Sequence, residues 1–337
     1  MNFKKTNPPG ILLSILLAIF ALLITKIMPK GYIGASVIAM LVGIALNPIV
    51  SKYQIFSSGL TFTSKKILKF GIILMGASLS FSQVVQVGKF SLIVMCFTLF
   101  SAFGGGYLLG KVFGMDWRLS SLISAGTGIC GGSAVAAIAP VIDSEDSQIA
   151  YAISATFIFD IFMVILFPLM GIHFGMNDLG YGLWAGTAVN DTSSVVAAGY
   201  AFSDIAGNYA VIVKLTRTLS IIPIVLIFSA INRNVKKKQG IIDKNERVKI
   251  SEVFPFFIAL FLVMVGIKSI GLIPQSLSSS LSELSKFLMV MSLGAIGLKT
   301  NFTSLAKSGI KPLFHGFLIS TLVVVVSFAV QSFLGQV

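Results

Sequence analysis

The chain has 337 residues, of which 55% are hydrophobic and only 11% charged, and its mean hydropathy is +0.95. Soluble domains carry about 25% charged residues, so the composition excludes an ordinary soluble domain and predicts an all-helical polytopic membrane protein. The net charge of +13 does not call for nucleic acid, because the basic residues sit in loops and at the ends of apolar segments, where the positive-inside rule and anionic lipid account for them.

A membrane-spanning helix needs about 20 mainly apolar residues. Eleven segments approach that length, at roughly 9–28, 32–50, 65–86, 89–113, 118–140, 147–171, 178–200, 207–232, 252–272, 282–300 and 311–334. Lys4 and Lys5 precede the first apolar run, and no small-residue cleavage site follows it, so it reads as an uncleaved span. Basic residues set the orientation. Lys52, Lys65 and Lys66, then Lys111 and Arg118, then Arg233 to Lys249, then Lys307 and Lys311 fall in alternate loops. That places the N-terminus in the cytoplasm of a bacterial-type inner membrane and the C-terminus outside. Lys26, Lys30 and Lys89 are exceptions on the outer side.

Segment five contains Gly126 to Pro140, GTGICGGSAVAAIAP. Glycines cost a lipid-facing helix up to ~1 kcal/mol each relative to alanine, and backbone freed at membrane depth needs partners inside the protein. A break at Gly131-Gly132 would turn a half-helix N-terminus inward, with Thr127 and Ser133 beside it, and such an end suits an anion. Close packing by small residues is the structural alternative. Segment seven contains Asn190, Asp191, Thr192, Ser193 and Ser194 in an apolar setting. A carboxylate at membrane depth costs at least ~2.5 kcal/mol, so it is read as functional by default; a short polar loop between two half-length helices, exposed to water, is the structural alternative.

Segment eight carries Lys214 and Arg217 on one helical face. They would hold an anionic substrate or neutralise Asp191; the alternative is snorkelling to an interface. Asp160 stands alone among Phe157 to Phe162. It would carry a proton, or pair with Lys214 or Arg217. Asp160 and Asp191 are thus the ion-coupling candidates. Cys96 and Cys130 form no disulfide framework or zinc spacing, and His173 and His315 are isolated, so no cofactor is expected beyond a coupling proton or sodium ion.

Two echoes run through the chain. Lys69-Phe70 with Gly76 to Leu79 resembles Lys286-Phe287 with Gly294 to Leu298, and Gly126 to Val135 resembles Gly186 to Val195. Opposed copies are the mark of an inverted repeat. The expected division is an extra N-terminal helix (1–30), a first repeat (31–172) and a second (173–337) with the basic loop 233–250 inside it. Both echoes hold together if segments five and seven are re-entrant hairpins from opposite faces. The alternative, toward which the sequence leans, is eleven full crossings with segments five and ten as broken helices.

The motifs GTGICGGSAVAAIAPVI, GTAVNDTSSVVAAG and VIVKLTRTLSIIPIVL together resemble the YeiH-type family, catalogued as sulfate exporters, over roughly residues 30–330. That family is similar to bile-acid symporters and cation/proton antiporters. The resemblance implies inverted five-helix repeats, a panel and a core, and broken helices crossing at the site, with Gly131, Gly132 and Ser133 at the first break. It favours full crossing, with segment one extra. The expected function is secondary active transport, by alternating access, of a small inorganic or organosulfur anion such as sulfate. The chain lacks GxxxxGK[ST], so an ion gradient or exchange would supply the energy. An anion channel and a structural membrane subunit are the alternatives. An enzyme is not expected, since Ser133 has no base nearby in sequence. The partners expected are the anion and lipid, with a homodimer left open.

Overall fold

The computed structural model describes residues 8–27, 34–238, 255–300 and 309–336, and every regular element among them is helical. In chain order these are α1 (Pro8–Ile27), α2 (Ala35–Val50), α3 (Ser57–Phe62), α4 (Leu68–Met75), α5 (Phe81–Val112), α6 (Trp117–Ala125), α7 (Gly132–Ile138), α8 (Asp146–His173), α9 (Asp178–Ala188), α10 (Thr192–Phe202), α11 (Asp204–Leu219), α12 (Ile221–Lys238), α13 (Phe256–Ser269), α14 (Gln275–Lys299) and α15 (Ile310–Phe333). Six helical stretches are long and apolar enough to cross a membrane. The sequence assigns orientation partly to Lys4, Lys5, Lys30, Lys244, Arg247, Lys249 and Lys307, which lie outside the described residues.

Several boundaries differ from the sequence pattern. Segment three begins at Ser57 rather than 65, because a π-helical turn, Thr63–Ile67, joins α3 to α4. Lys65 and Lys66 are therefore inside the helix, not in a loop. Segment four begins at Phe81 rather than 89. Ser80 and Gln83 form a capping box there, with Gln83 N donating to Ser80 Oγ and Ser80 N donating to Gln83 Oε1. Segment ten begins at Gln275, since its serine-rich first turns are helical without being apolar.

The largest departure is that segments five and seven do not pass through. Asp116, which caps α6, accepts a hydrogen bond from Gln148 Nε2 in the first turn of α8 at 3.0 Å. The last turn of segment five, Ala139–Ile142, lies back against α6. Segment five thus returns to the end where it began. Segment seven does the same: Ser203 Oγ donates to Asp178 Oδ1 at 2.5 Å, and Tyr181 on α9 donates to the Ala198 carbonyl on α10 at 3.0 Å. Both are helical hairpins, which corrects the leaning toward eleven crossings. Length could not decide, because either segment has enough residues to cross or to fold back. Nor is α14 the broken partner that full crossing requires; it is one continuous helix of 25 residues.

The bases of the hairpins lie at opposite ends of α8. Its 28 residues rise about 42 Å at 1.5 Å each, so the tips meet near its middle. The helices form two bundles. In one, α14 packs between α2 and α4, with α1, α3 and α13 around them. Here the echoing segments run antiparallel: Ser285 Oγ donates to the Gly71 carbonyl and Ser278 Oγ to the Ala77 carbonyl. The other bundle holds α5, both hairpins, α8, α11, α12 and α15, and contact between the bundles runs largely through α10 against α2 and α14.

Candidate functional site at the hairpin tips

The first hairpin turns at Gly131. Its φ of 65° is a conformation that L side chains avoid, and a Cβ there would come within 3.0 Å of Asp191 Oδ1. The glycine lets the tip reverse and lets the second tip touch it. Just before it, a π-helical turn spans Gly126–Cys130; such turns occur often at functional sites. Helix C-termini present unpaired carbonyls with negative partial charge. Two buried cations on α11 take up those carbonyls at both tips.

Arg217 Nε donates to the Gly128 carbonyl at 2.6 Å, Nη1 to Thr187 and Nη2 to Thr127. Lys214 Nζ donates to Ile129 and Val189 at 3.0 Å each, and to Asn190. All three ammonium protons are used. Lys214 and Arg217 are buried, at 0% and 1% exposure, so snorkelling is excluded. The sequence expected these cations to grip an anion or neutralise Asp191. They clamp backbone instead, since carbonyls at two helix ends are the nearest partners for buried charge.

The carboxylates do the converse. Asp191 caps α10, its Oδ2 accepting from Ser193 N at 2.8 Å and from the Ser193 hydroxyl. Asp160 reaches over from α8, and its two oxygens accept from the amides of Asn190 at 2.9 Å and Asp191 at 2.7 Å. An N-terminus with its dipole suits a carboxylate. Asp160 forms no ion pair within 4.0 Å among the described residues, so its anticipated bridge to Lys214 or Arg217 is absent. Two positive and two negative charges balance here through backbone rather than by direct pairing, which meets the cost of burying each one.

The structure brings all twelve candidate residues together, in two groups. Thr127, Gly131, Asn190, Ser193, Ser194, Asp160, Lys214 and Arg217 are buried framework. Ser133 is exposed and Gly132, Asp191 and Thr192 are half-buried, so these four form the open face. Gly132 and Ser133 occupy the first two positions of α7, where amides have no carbonyl behind them.

A family model described as conserved hypothetical protein 698 matches residues 9–316. A curated relative from Clostridium tetani, named UPF0324 membrane protein, is 68% identical over 100% of both chains. The chain belongs to the UPF0324 family of membrane proteins. Other UPF0324 membrane proteins, from Streptococcus pneumoniae and Fusobacterium nucleatum, are 39% and 36% identical and cover at least 97% of each chain. UPF0324 is the YeiH-type family whose three motifs the sequence carries.

One element of the site in this UPF0324 chain escaped the sequence reading. Helix α15 lines both hairpins with a polar stripe of His315, Ser320, Ser327 and Gln331, all 0% exposed. His315 Nε2 meets the Gly106 carbonyl and Ser120; Ser320 accepts from Asn190 Nδ2 at 3.2 Å; Ser327 pairs with Thr187 at 2.5 Å. The signal was available, as single polar residues spaced along an otherwise apolar segment. Asn190 Oδ1 is buried at the tips with no partner.

Proposed function

We propose that this UPF0324 protein is a secondary active transporter for a small anion such as sulfate or an organosulfur anion. The observation that carries the reading is the meeting of two opposed hairpin tips at mid-depth, clamped from one helix and open at Gly132, Ser133, Asp191 and Thr192. Irregular backbone at that depth is tolerated where it lines a cavity. The free amides of Gly132 and Ser133, with the hydroxyls of Ser133 and Thr192, would take the anion. Asp191 would provide coupling. Ionised, it repels an anion from the same opening; protonated or bound to sodium, it admits one.

On this reading the chain crosses nine times and re-enters twice. The hairpins and the antiparallel α4–α14 pair are the inverted elements, which also reconciles the two sequence echoes. Lys52, Lys111, Arg118, Lys236, Lys237 and Lys311 gather at the end that holds the base of the first hairpin, which makes that end cytoplasmic and puts the C-terminus outside. The bundle with the hairpins would move against the other to alternate access. Purified protein in liposomes should show saturable sulfate flux with counterflow, dependent on a proton or sodium gradient. A conductance far above carrier turnover would make it a channel. Absence of flux for every small anion tried, alongside a stoichiometric partner in purification, would make it a subunit.

A further inference from the structure

A cavity of about 600 Å³ lies beside the first hairpin, between α5, α6 and α12. That is within the roughly 300–1,000 Å³ of sites for small organic ligands, and none of the twelve residues at the tips lines it. Helix α12 packs against α7 and the last turn of the hairpin, and it meets α5 where the rings of Phe103 and Phe228 stand 5.6 Å apart. That pair, with Ser124, closes the inner end. Lys111, Trp117 and Val235 form the other end. Lys111 is eight residues beyond Phe103 on α5, so the cavity is about 12 Å long at 1.5 Å per residue.

Its walls are largely apolar and aromatic, and its polar groups are few. The hydroxyls of Ser120 and Ser124 donate to the carbonyls of Gly106 and Ser120, at 2.8 Å each. The Ser121 hydroxyl and the Lys111 ammonium also line the cavity, and neither has a hydrogen-bond or ion-pair partner among the described residues. No lining residue is acidic. Two acids at this end of the hairpin are engaged elsewhere, Asp116 with the Arg118 amide and Gln148 Nε2, and Asp143 with Lys236.

The rim decides what enters. Tyr107 and Ile231 stand on it, 66% and 40% exposed, on helical stretches long and apolar enough to cross a membrane. The cavity therefore opens sideways, toward acyl chains, and carries an unpaired cation at one end. Arg233 and Lys237 are exposed on the last turns of α12 and add to the positive field there. Basic pockets between spanning helices take acidic lipid headgroups. A small inorganic anion gains nothing from a long apolar wall, whereas each methylene of an acyl chain does.

We infer that this cavity binds one acidic phospholipid, with its phosphate at Lys111 and one acyl chain lying along α6 toward Phe103 and Phe228. The Ser121 hydroxyl, one turn in from Trp117, meets the ester carbonyl of that chain. The lipid fills the space between α5, α6 and α12 and braces one side of the first hairpin. The site is independent of what the protein transports.

The chain has two tryptophans. Trp117 lines the cavity and Trp184 is buried in the second hairpin, so Trp184→Phe leaves Trp117 as the sole reporter. Its fluorescence would be read in vesicles of phosphatidylcholine and phosphatidylglycerol, with one lipid at a time brominated near the headgroup end of its chains. Bromine quenches on contact, and the dependence on mole fraction gives the relative binding constant of the two lipids at Trp117. Phosphatidylglycerol should be preferred about fivefold, the effect of one basic group beside an anionic headgroup. Lys111→Gln should bring that preference toward one, as should Ser121→Phe, which fills the cavity. A constant near one with Lys111 and Ser121 in place, or a preference that either substitution leaves unchanged, overturns the proposal. Octanesulfonate added to phosphatidylcholine vesicles tests a different occupant: if it relieves quenching by the brominated lipid while phosphatidylglycerol shows no preference, the cavity belongs to a free organic anion and the lipid proposal falls. If Trp184→Phe does not fold, Trp184 is kept, and the same constants are taken from the difference between the wild-type and Trp117→Phe proteins.

Discussion

Asp191 occupies two roles at once, and they can be separated. Its Oδ2 caps α10, and asparagine can accept the same hydrogen bonds without the charge. Asp191→Asn should therefore keep the fold but lose gradient-driven accumulation. Its thermal unfolding should stay close to wild type, since good N-caps differ little in strength. Accumulation equal to wild type would take Asp191 out of the coupling. Arg217 behaves differently. Its three nitrogens bond to carbonyls of both hairpins, and each buried acceptor left unpaired costs about 1–3 kcal/mol. Arg217→Ala should thus destabilise by on the order of 3 kcal/mol and fall short in yield before any effect on affinity is seen. A stable Arg217→Ala variant with weakened anion affinity would restore the substrate role that its charge first suggests. Asp191 was legible in sequence as a charge at membrane depth and Arg217 as one either buried or snorkelling, but their partners were not. Backbone carbonyls carry no residue-type signal, and only the positions of two helix ends reveal them.

At the scale of elements, the glycine break at Gly131 could be read directly, because a run of small residues ending in proline has no use in a lipid-facing helix. The direction of the chain after the break could not. That depends on how the ends are tied. Asp143 follows the last turn of the first hairpin in a left-handed conformation, φ 51°, which aspartate tolerates better than most residues. Its Oδ2 accepts from Asn232 Nδ2 at 2.8 Å and meets Lys236 at 3.0 Å, joining the hairpin base to α12. Partial burial pushes the Asp143 carboxyl up, but the hydrogen bonds from Asn232 and Lys236 outweigh it and hold the group below its ordinary value. A depressed folded-state pKa stabilises the fold above the unfolded value, near 3.9, and that contribution disappears as pH falls through the folded value. Asp143→Asn should lower the melting temperature at pH 7, and the gap from wild type should narrow as pH falls below about 4. A gap unchanged with pH would show that the carboxylate charge is not what ties the hairpin to α12.

At the scale of the whole molecule, the two bundles do not follow the two halves of the sequence. The first half gives α5, the first hairpin and α8 to one bundle, and α1 to α4 to the other; the second half returns to both. Periodicity reports which face of a helix is buried, not which neighbour buries it, so the motifs' resemblance implied a panel and a core but not which helices make up each. On the proposed transport reading it matters, because alternating access would require the hairpin bundle to move, and the joint between bundles is narrow. At the end opposite the basic loops, a Cβ placed on Gly34 would lie 2.8 Å from the Ala201 Cα and 3.3 Å from its Cβ on α10, so the two backbones must ease apart by a few tenths of an ångström to reach the 3.5–4.5 Å that a disulfide spans. In protein lacking Cys96 and Cys130, Gly34→Cys with Ala201→Cys should cross-link on mild oxidation. If the bundles move past each other during transport, the oxidised protein should lose sulfate flux and regain it on reduction, while Ala201→Cys alone stays active throughout. Full cross-linking with undiminished flux would mean that this joint stays fixed through the cycle. Motion would then have to be confined to the hairpins, each pivoting on the carbonyl clamp of Lys214 and Arg217.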